Sequence, residues 1–347
     1  MPIVPIDPVS PDPAIIADAA HRIREGELVA FPTETVYGLG ANGFDTQSLR
    51  DLYAAKGRPA WNPVILHVPD AASAKLLTRT WPESARRLSN AFWPGPLTIV
   101  LPKSNLVPDE ATAGLDAVGV RVPEHPVALA LIRAAEVPIA APSANRFTQV
   151  SPTTAQHVVD SLGDRVPLVL DGGPCKVGIE STVVDCTGDT VVILRPGLIG
   201  KDLLEAAVRK AGIVVEVAKR RAVDHNADAP VDAPRSPGMS DRHYAPRAEV
   251  WLFAPESTDE IVEALAERRK TAPETSGRVV GLLRSVTLPD GACEVIHMPE
   301  DHRNYAREMY AALHEADARK ASLVVIELPP LDPEWDGVRD RLTRAAR

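Results

Sequence analysis

Lys56-Gly57-Arg58 sets two cations one glycine apart where a helical stretch ends and the loop Pro59-Ala60-Trp61-Asn62-Pro63 begins. Such a pair either compensates the negative end of the helix dipole or meets an anion such as a phosphate. The glycine and two prolines predict a rigid, exposed loop between helix and strand, where α/β proteins carry binding groups. Ser143-Ala144-Asn145 has a similar setting. It follows Pro142 and the short apolar run 139–141, so a hydroxyl and an amide emerge at a strand end. Taken singly, that tripeptide is equally a capped turn. Arg121 is harder to explain as packing, because it lies in the apolar run 118–122 and a guanidinium within a strand needs an anionic partner. A carboxylate ligand held bidentately is the natural candidate.

Two glycine patterns invite a nucleotide reading and fail on context. Gly38-Leu39-Gly40-Ala41-Asn42-Gly43 has the G-x-G-x-x-G spacing. The preceding predicted strand ends too early, at Phe31, and no acidic residue follows at the distance that holds a ribose. The cluster therefore reads as turn-forming. Gly173 to Gly178 has the glycine spacing of a P-loop, but Ile179-Glu180 replaces the required Lys-Ser/Thr. Ser181 and Thr182, at the start of the next strand, still offer hydroxyls to a ligand. Thr33 and Thr35 stand on alternate positions of a stretch, 32–37, that reads as extended, so both should face the same way. His297 and His302 flank an acidic patch and read as surface or capping residues rather than metal ligands. No metal site is expected of the chain itself.

Groups like these need a scaffold. The spacing of Ile15, Ile16, Ala19, Ala20 and Ile23, closed by Gly26, predicts a helix over 13–25. A further helix is predicted over 46–55, with strands over 28–31, 64–68, 97–101, 118–122, 168–171, 181–185 and 191–194. The pattern is α/β with a mixed, twisted sheet. Strands between 168 and 194 follow one another too closely for helical crossovers and should be antiparallel. A helix over 201–211 and a strand over 213–217 close a first domain, 1–217. Residues 218–247 hold four prolines and almost no apolar periodicity, as a semi-rigid linker would. Beyond them, a strand, helix, strand, helix and strand alternate across 250–328 as in a small doubly wound, Rossmann-like domain, 248–347.

Bulk properties narrow the function classes. At 347 residues the chain exceeds the usual single core, favouring about two domains. With 45% hydrophobic and 24% charged residues it is an ordinary globular composition, which excludes disorder and fibrous structure. A net charge of −9 argues for weak or no direct nucleic-acid binding, since phosphate neutralisation needs a broad basic surface. Cys175, Cys186 and Cys293 are too few and too far apart for a disulfide framework or zinc knuckle, so a reducing compartment is expected. The N-terminus lacks a basic n-region and no apolar run is long enough to span a membrane, which predicts a cytoplasmic location.

Together, PTETVYGLG, KGRPAWNPVILHV, WPGPLTIVL, VGVRVP, APSAN, GIESTVVD and LRPG occur in the order seen in the YrdC-like family. SPGM-SDR-HYAP, at 236–246, resembles the linker of its longer two-domain members, the L-threonylcarbamoyladenylate synthases. The resemblance is strong over 14–200 and looser beyond. It implies a nucleotidyltransferase that converts ATP with Mg²⁺, bicarbonate and L-threonine to threonylcarbamoyl-adenylate and pyrophosphate, for a downstream tRNA threonylcarbamoyl-transfer machinery. Carried over by motif, Lys56, Arg58, Asn62, Ser143, Asn145, Ser151 and Arg195 should surround ATP, with the backbone at Ala117. Lys56 and Arg58 take the catalytic role. Thr35, His67, Arg121, Ala141 and Ser181 should surround threonine, Arg121 on its carboxylate, and Thr33 contributes to either pocket. His243 and Tyr244 match the segment that closes over the nucleotide. Family linkers often carry tyrosine where this chain has Asp241. The rival readings are a carbamoyltransferase, which would bring acylphosphatase-like and Cys-rich zinc modules absent here, and a non-catalytic RNA-binding protein of the same fold.

Overall fold

The computed structural model describes residues 3–218, 243–271 and 277–347. The helix Pro13–Arg24 opens on Asp12, whose carboxylate accepts from the amides of Ala14 and Ile15, and on Pro13 at its first position. It buries Ile16, Ala19, Ala20 and Ile23, the one-face spacing visible in the sequence.

Eleven strands form the first sheet: β1 (Ile3–Pro5), β2 (Val29–Phe31), β3 (Gly38–Asn42), β4 (Ile65–His67), β5 (Leu97–Pro102), β6 (Ala117–Arg121), β7 (Ile139–Ala140), β8 (Leu168–Asp171), β9 (Thr182–Asp185), β10 (Val191–Arg195) and β11 (Val215–Val217). Their order is β1-β8-β2-β3-β7-β4-β6-β5-β9-β10-β11, with parallel and antiparallel neighbours mixed. Helices cover both faces. Along β2, Val29 and Phe31 join a core with Pro13–Arg24 and Pro126–Ala135, while Ala30 joins the core on the other face with Thr46–Lys56 and Ala155–Leu162. That division is the period-two alternation of a strand.

Three sequence expectations change here. The glycine cluster at 38–43 is mostly a strand, β3, antiparallel to β2 and β7, rather than a turn. Gly40 is needed for space: a Cβ there would lie 2.9 Å from the Phe31 ring and 3.0 Å from Ile139. Residues 32–37 are a bend rather than extended chain. The Thr33 hydroxyl accepts from the amides of Thr35 and Val36 and donates to the Val36 carbonyl, folding the segment back on itself. The strands of 168–194 are also only partly antiparallel. β9 and β10 pair that way, but β8 lies far across the sheet, parallel to β1 and β2.

The second unit has four parallel strands, β12 (Glu249–Phe253), β13 (Val279–Leu283), β14 (Glu294–His297) and β15 (Leu323–Glu327), in the order β12-β15-β13-β14. The sequence did not indicate β14, which is half exposed along its length, or the helix Asp336–Ala345. Doubly wound units bind ligands at the carboxyl ends of their strands. Here a side chain fills that place: Glu327 accepts from the amides of Arg284 (2.8 Å), Ser285 (2.9 Å) and Val286 (3.1 Å), and from the Ser285 hydroxyl.

The two units share a core. Val36, Val150 and Ile179 of the first pack with Tyr305, Met309, Tyr310, Val338 and Leu342 of the second. Contact is closest at Gly178, with φ of +82°, where a Cβ would lie 2.3 Å from the Arg307 Cα. Any side chain there would push the helix His302–Ala318 away. Among the described residues no helix is long and apolar enough to cross a membrane.

Candidate functional site

The helix Thr46–Lys56 starts at Asp45, which caps the amides of Gln47 and Ser48, and stops at Gly57 in the left-handed conformation. The stop turns the chain so that Lys56 and Arg58 both point inward. They are 2% and 7% exposed, so the two cations turn inward although Gly57 and Ala60 of the loop are exposed, as its glycine and prolines suggested. Lys56 Nζ donates to the carbonyls of Ser143 and Asn145, each at 2.5 Å, which joins the two tripeptides directly. Arg58 donates to the Asn62 carbonyl (3.0 Å), Asn62 Oδ1 (2.6 Å) and the Pro63 carbonyl (2.7 Å). Burial, then the charge of Arg58, pushes the Lys56 ammonium well below its usual range, against the pull of Glu180. Burial also lowers Arg58, to about 10.

Arg121 ends β6 beside His67 of β4 in parallel register. Its expected anionic partner is supplied first by the protein: Nη2 meets Glu34 Oε1 at 2.7 Å and the Thr35 hydroxyl at 3.0 Å, and Nε donates to the Gly95 carbonyl. Glu34 is itself held by the amide of Glu124. Nη1 of Arg121 has no protein partner among the described residues, so one edge of the fork remains for a ligand. The hydroxyls of Thr33 and Thr35 lie 2.8 Å apart. Ser181 bonds Thr98 at 2.8 Å, and Arg195 Nη2 donates to the Ser181 carbonyl (3.0 Å) and hydroxyl (3.2 Å).

These groups surround a small cavity of about 40 Å³. Arg58, Ser143, Arg195, His243 and Tyr244 line it together with His67, Arg121, Ala141 and Ser181. Thus members of the expected ATP and threonine sets share one space. Lys56, Asn62, Asn145, Thr33 and Thr35 stand behind the lining and brace it. Ser151 is held at Glu180, which also lines the cavity. Ala117 is not in the lining. It starts β6 four positions before Arg121, on the same face of the strand. Asp241 and most of the linker, 219–242, lie outside the described residues.

His243 and Tyr244 pack into the site. The His243 ring meets Tyr244 edge-on at 4.0 Å and Phe147 at 5.7 Å, and Tyr244 adopts φ of +63°. The His243 amide reaches the Arg344 carbonyl and the Ala245 amide reaches that of Thr148, so both units hold this segment. Five buried polar atoms here have no partner among the described residues: Asn62 Nδ2, His67 Nδ1, Asn145 Oδ1, His243 Nδ1 and Tyr244 Oη. Each such atom costs about 1–3 kcal/mol when unpaired, so their gathering marks a place made for a polar guest.

Sequence reasoning missed Glu34, Thr98 and Glu180. All three lie within motifs quoted above, but no spacing reveals a partner folded in from elsewhere.

Burial, followed by the charge of Arg121, lowers His67 to about 3. Burial lowers His314 to about 3 and takes His243 well down. All three are therefore neutral when folded, and His67 is too weak a base to serve as a proton acceptor near neutrality. Below about pH 6.5 the unfolded chain binds protons that the folded chain refuses. Stability is fully present above that pH and falls as pH drops, by about 1.4 kcal/mol per pH unit for each such histidine. Urea unfolding at pH 7, 6 and 5 should show this loss before carboxylates titrate; equal stability at pH 7 and 5 would contradict it.

Comparison with known proteins identifies the family. Residues 21–197 match the family described as "Telomere recombination", and residues 201–347 match "Threonylcarbamoyl-AMP synthase, C-terminal domain". Threonylcarbamoyl-AMP synthase of Pyrococcus abyssi is 41% identical over 309 residues, covering 89% of this chain and 87% of that protein. The chain belongs to the threonylcarbamoyl-AMP synthase family. The Bacillus subtilis synthase is 39% identical over 346 residues, with 98% and 95% of the two chains covered. The structure of P. abyssi Sua5 complexed with L-threonine superposes with a TM-score of 0.87 at 38% identity, covering 100% of this chain and 98% of that one. The mixed sheet with a second parallel sheet is thus the two-domain synthase architecture, and the family is enzymatic.

Proposed function

We propose that this threonylcarbamoyl-AMP synthase binds ATP against Lys56, Arg58, Asn62, Ser143, Asn145, Ser151, Arg195, His243 and Tyr244, and L-threonine against Arg121, Thr35, His67, Ala141 and Ser181. Thr33 supports the threonine side by fixing the Thr35 hydroxyl. The observation that carries the reading is the shared space: Arg121, with one nitrogen open, lines the same cavity as Arg58 and Arg195. A carboxylate on Arg121 and a triphosphate on the cations then place the amine of threonine beside the α-phosphate. Ala117, on the same face of β6 as Arg121, offers its backbone farther out.

The amine takes up the carbon of bicarbonate as a carbamate, losing a proton as hydroxide departs, together as water. A carbamate oxygen then attacks the α-phosphorus and pyrophosphate leaves. No protein nucleophile is required. Lys56, Arg58 and Arg195 stabilise the charge that develops on the leaving group, and fixed positions replace chance encounter. Mg²⁺ belongs with the phosphates of the substrate. A cavity of about 40 Å³ is smaller than a nucleotide, so His243 and Tyr244 must move aside to admit ATP and then close on it. The reactive adenylate is best kept from water until a tRNA threonylcarbamoyl-transfer machinery consumes it, in a cytoplasm that keeps the three cysteines reduced.

Pyrophosphate release is therefore expected to need threonine and bicarbonate together. A chain that turns over ATP at the same rate without threonine would sink this reading.

A further inference from the structure

Glu180 is the single carboxylate among the described residues that line the cavity. Arg58 and Arg195, which the proposed function gives to the phosphates of ATP, line the same cavity. A carboxylate left free there would pair with those cations and repel a triphosphate. The second unit takes up that charge. Oε2 of Glu180 accepts from Arg341 Nε at 2.9 Å and from the Tyr310 hydroxyl at 3.0 Å, while Oε1 accepts from Ser151 at 2.5 Å. Arg341 makes further contacts close by. Its Nη2 donates to the Glu180 carbonyl at 3.3 Å, and its Nη1 donates at 2.7 Å to the carbonyl of Pro196, the residue after Arg195. The Tyr244 ring lies 5.3 Å from the guanidinium. Arg341 is 1% exposed and comes from the helix Asp336–Ala345, more than a hundred residues from any other part of the cradle except the linker end.

We propose that Arg341 is a positioning residue for nucleotide binding. It draws the charge of Glu180 toward the second unit, fixes the Ser151 hydroxyl through that carboxylate, and holds the strand end that carries Arg195. Less of the Glu180 charge then competes with phosphate for the cations of the cradle. This rests on the ATP assignment above, and it gives the second unit a part in the chemistry beyond packing.

The experiment is calorimetric titration of ATP into the full chain without threonine, with KM values for ATP and threonine taken from pyrophosphate release. In Arg341→Gln, ATP affinity should fall about tenfold or more, a loss of about 1.4 kcal/mol. The KM for threonine should stay within about twofold, because Arg121 and Thr35 are untouched. Removing the uncompensated charge as well, in Glu180→Gln/Arg341→Gln, should recover most of the lost affinity. Unchanged ATP affinity in Arg341→Gln, an equal rise in the threonine KM, or a double variant no better than the single would each overturn the proposal. Should Arg341→Gln not fold, Tyr310→Phe removes one donor to the same oxygen and should weaken ATP about threefold; wild-type affinity there overturns it equally. Calorimetry separates the two readings. A wild-type chain that binds ATP yet releases no pyrophosphate with threonine and bicarbonate refutes the function, while the Arg341 variants still decide the positioning.

Discussion

Arg58→Ala and Lys56→Ala are each expected to lower threonine-dependent pyrophosphate release by at least about 10²–10³-fold, the usual cost of removing one group that stabilises developing charge. Both residues also brace the site. Without Lys56 the carbonyls of Ser143 and Asn145 lose their shared donor, and without Arg58 the Asn62 side chain and the Pro63 carbonyl lose theirs. Each orphaned buried acceptor costs about 1–3 kcal/mol, so a drop in melting temperature will accompany the loss of activity. Activity must therefore be compared at a temperature where circular dichroism shows each variant fully folded. Arg58→Lys sharpens the comparison, because it keeps the charge but not the planar fork that spans Asn62 and Pro63. Near-normal turnover in either alanine variant would show that these cations do not meet the phosphates.

Arg121→Ala should act on stability and substrate at once. Glu34 would remain buried without its counter-charge, and breaking a buried pair from one side costs about 3–5 kcal/mol. Glu34→Gln/Arg121→Ala removes both charges and should regain much of that stability, while threonine use stays lost because the open nitrogen of Arg121 has gone. The double variant thus separates the structural role of the pair from its substrate role. A double variant with a normal threonine KM would place the carboxylate of threonine elsewhere.

The need for an anion at Arg121 was legible in the sequence, but its identity was not. Glu34 stands 87 positions away, on the bend at 32–37 that follows β2, and β2 is separated from β6 in the sheet by β3, β7 and β4. The burial of Lys56 and Arg58 was illegible for a related reason: glycine and proline report a turn, here exposed at Gly57 and Ala60, and not what folds over its side chains. Ser143, Asn145 and the linker end cover those two cations. β3 was hidden because its glycines answer to the bulk of Phe31 and Ile139 on neighbouring strands rather than to local propensity. The helix Asp336–Ala345 was hidden more deeply. Its buried face carries Asp340, Arg341 and Arg344 along with Val338 and Leu342, so the polar–apolar rhythm that betrays Pro13–Arg24 is scrambled. Its charges are buried because they pair with one another and with Glu180 across the unit boundary. Strands such as β8 and β13, buried and apolar, were by contrast plain in the sequence.

The most direct measurement is mass spectrometry of the product formed from ATP, L-threonine and ¹³C-bicarbonate. One site that seats threonine on Arg121 and ATP on Lys56, Arg58 and Arg195 should yield an adenylate carrying threonine and a single labelled carbon, in step with pyrophosphate. Pyrophosphate appearing without that labelled adenylate, or an adenylate of threonine lacking the extra carbon, would contradict it.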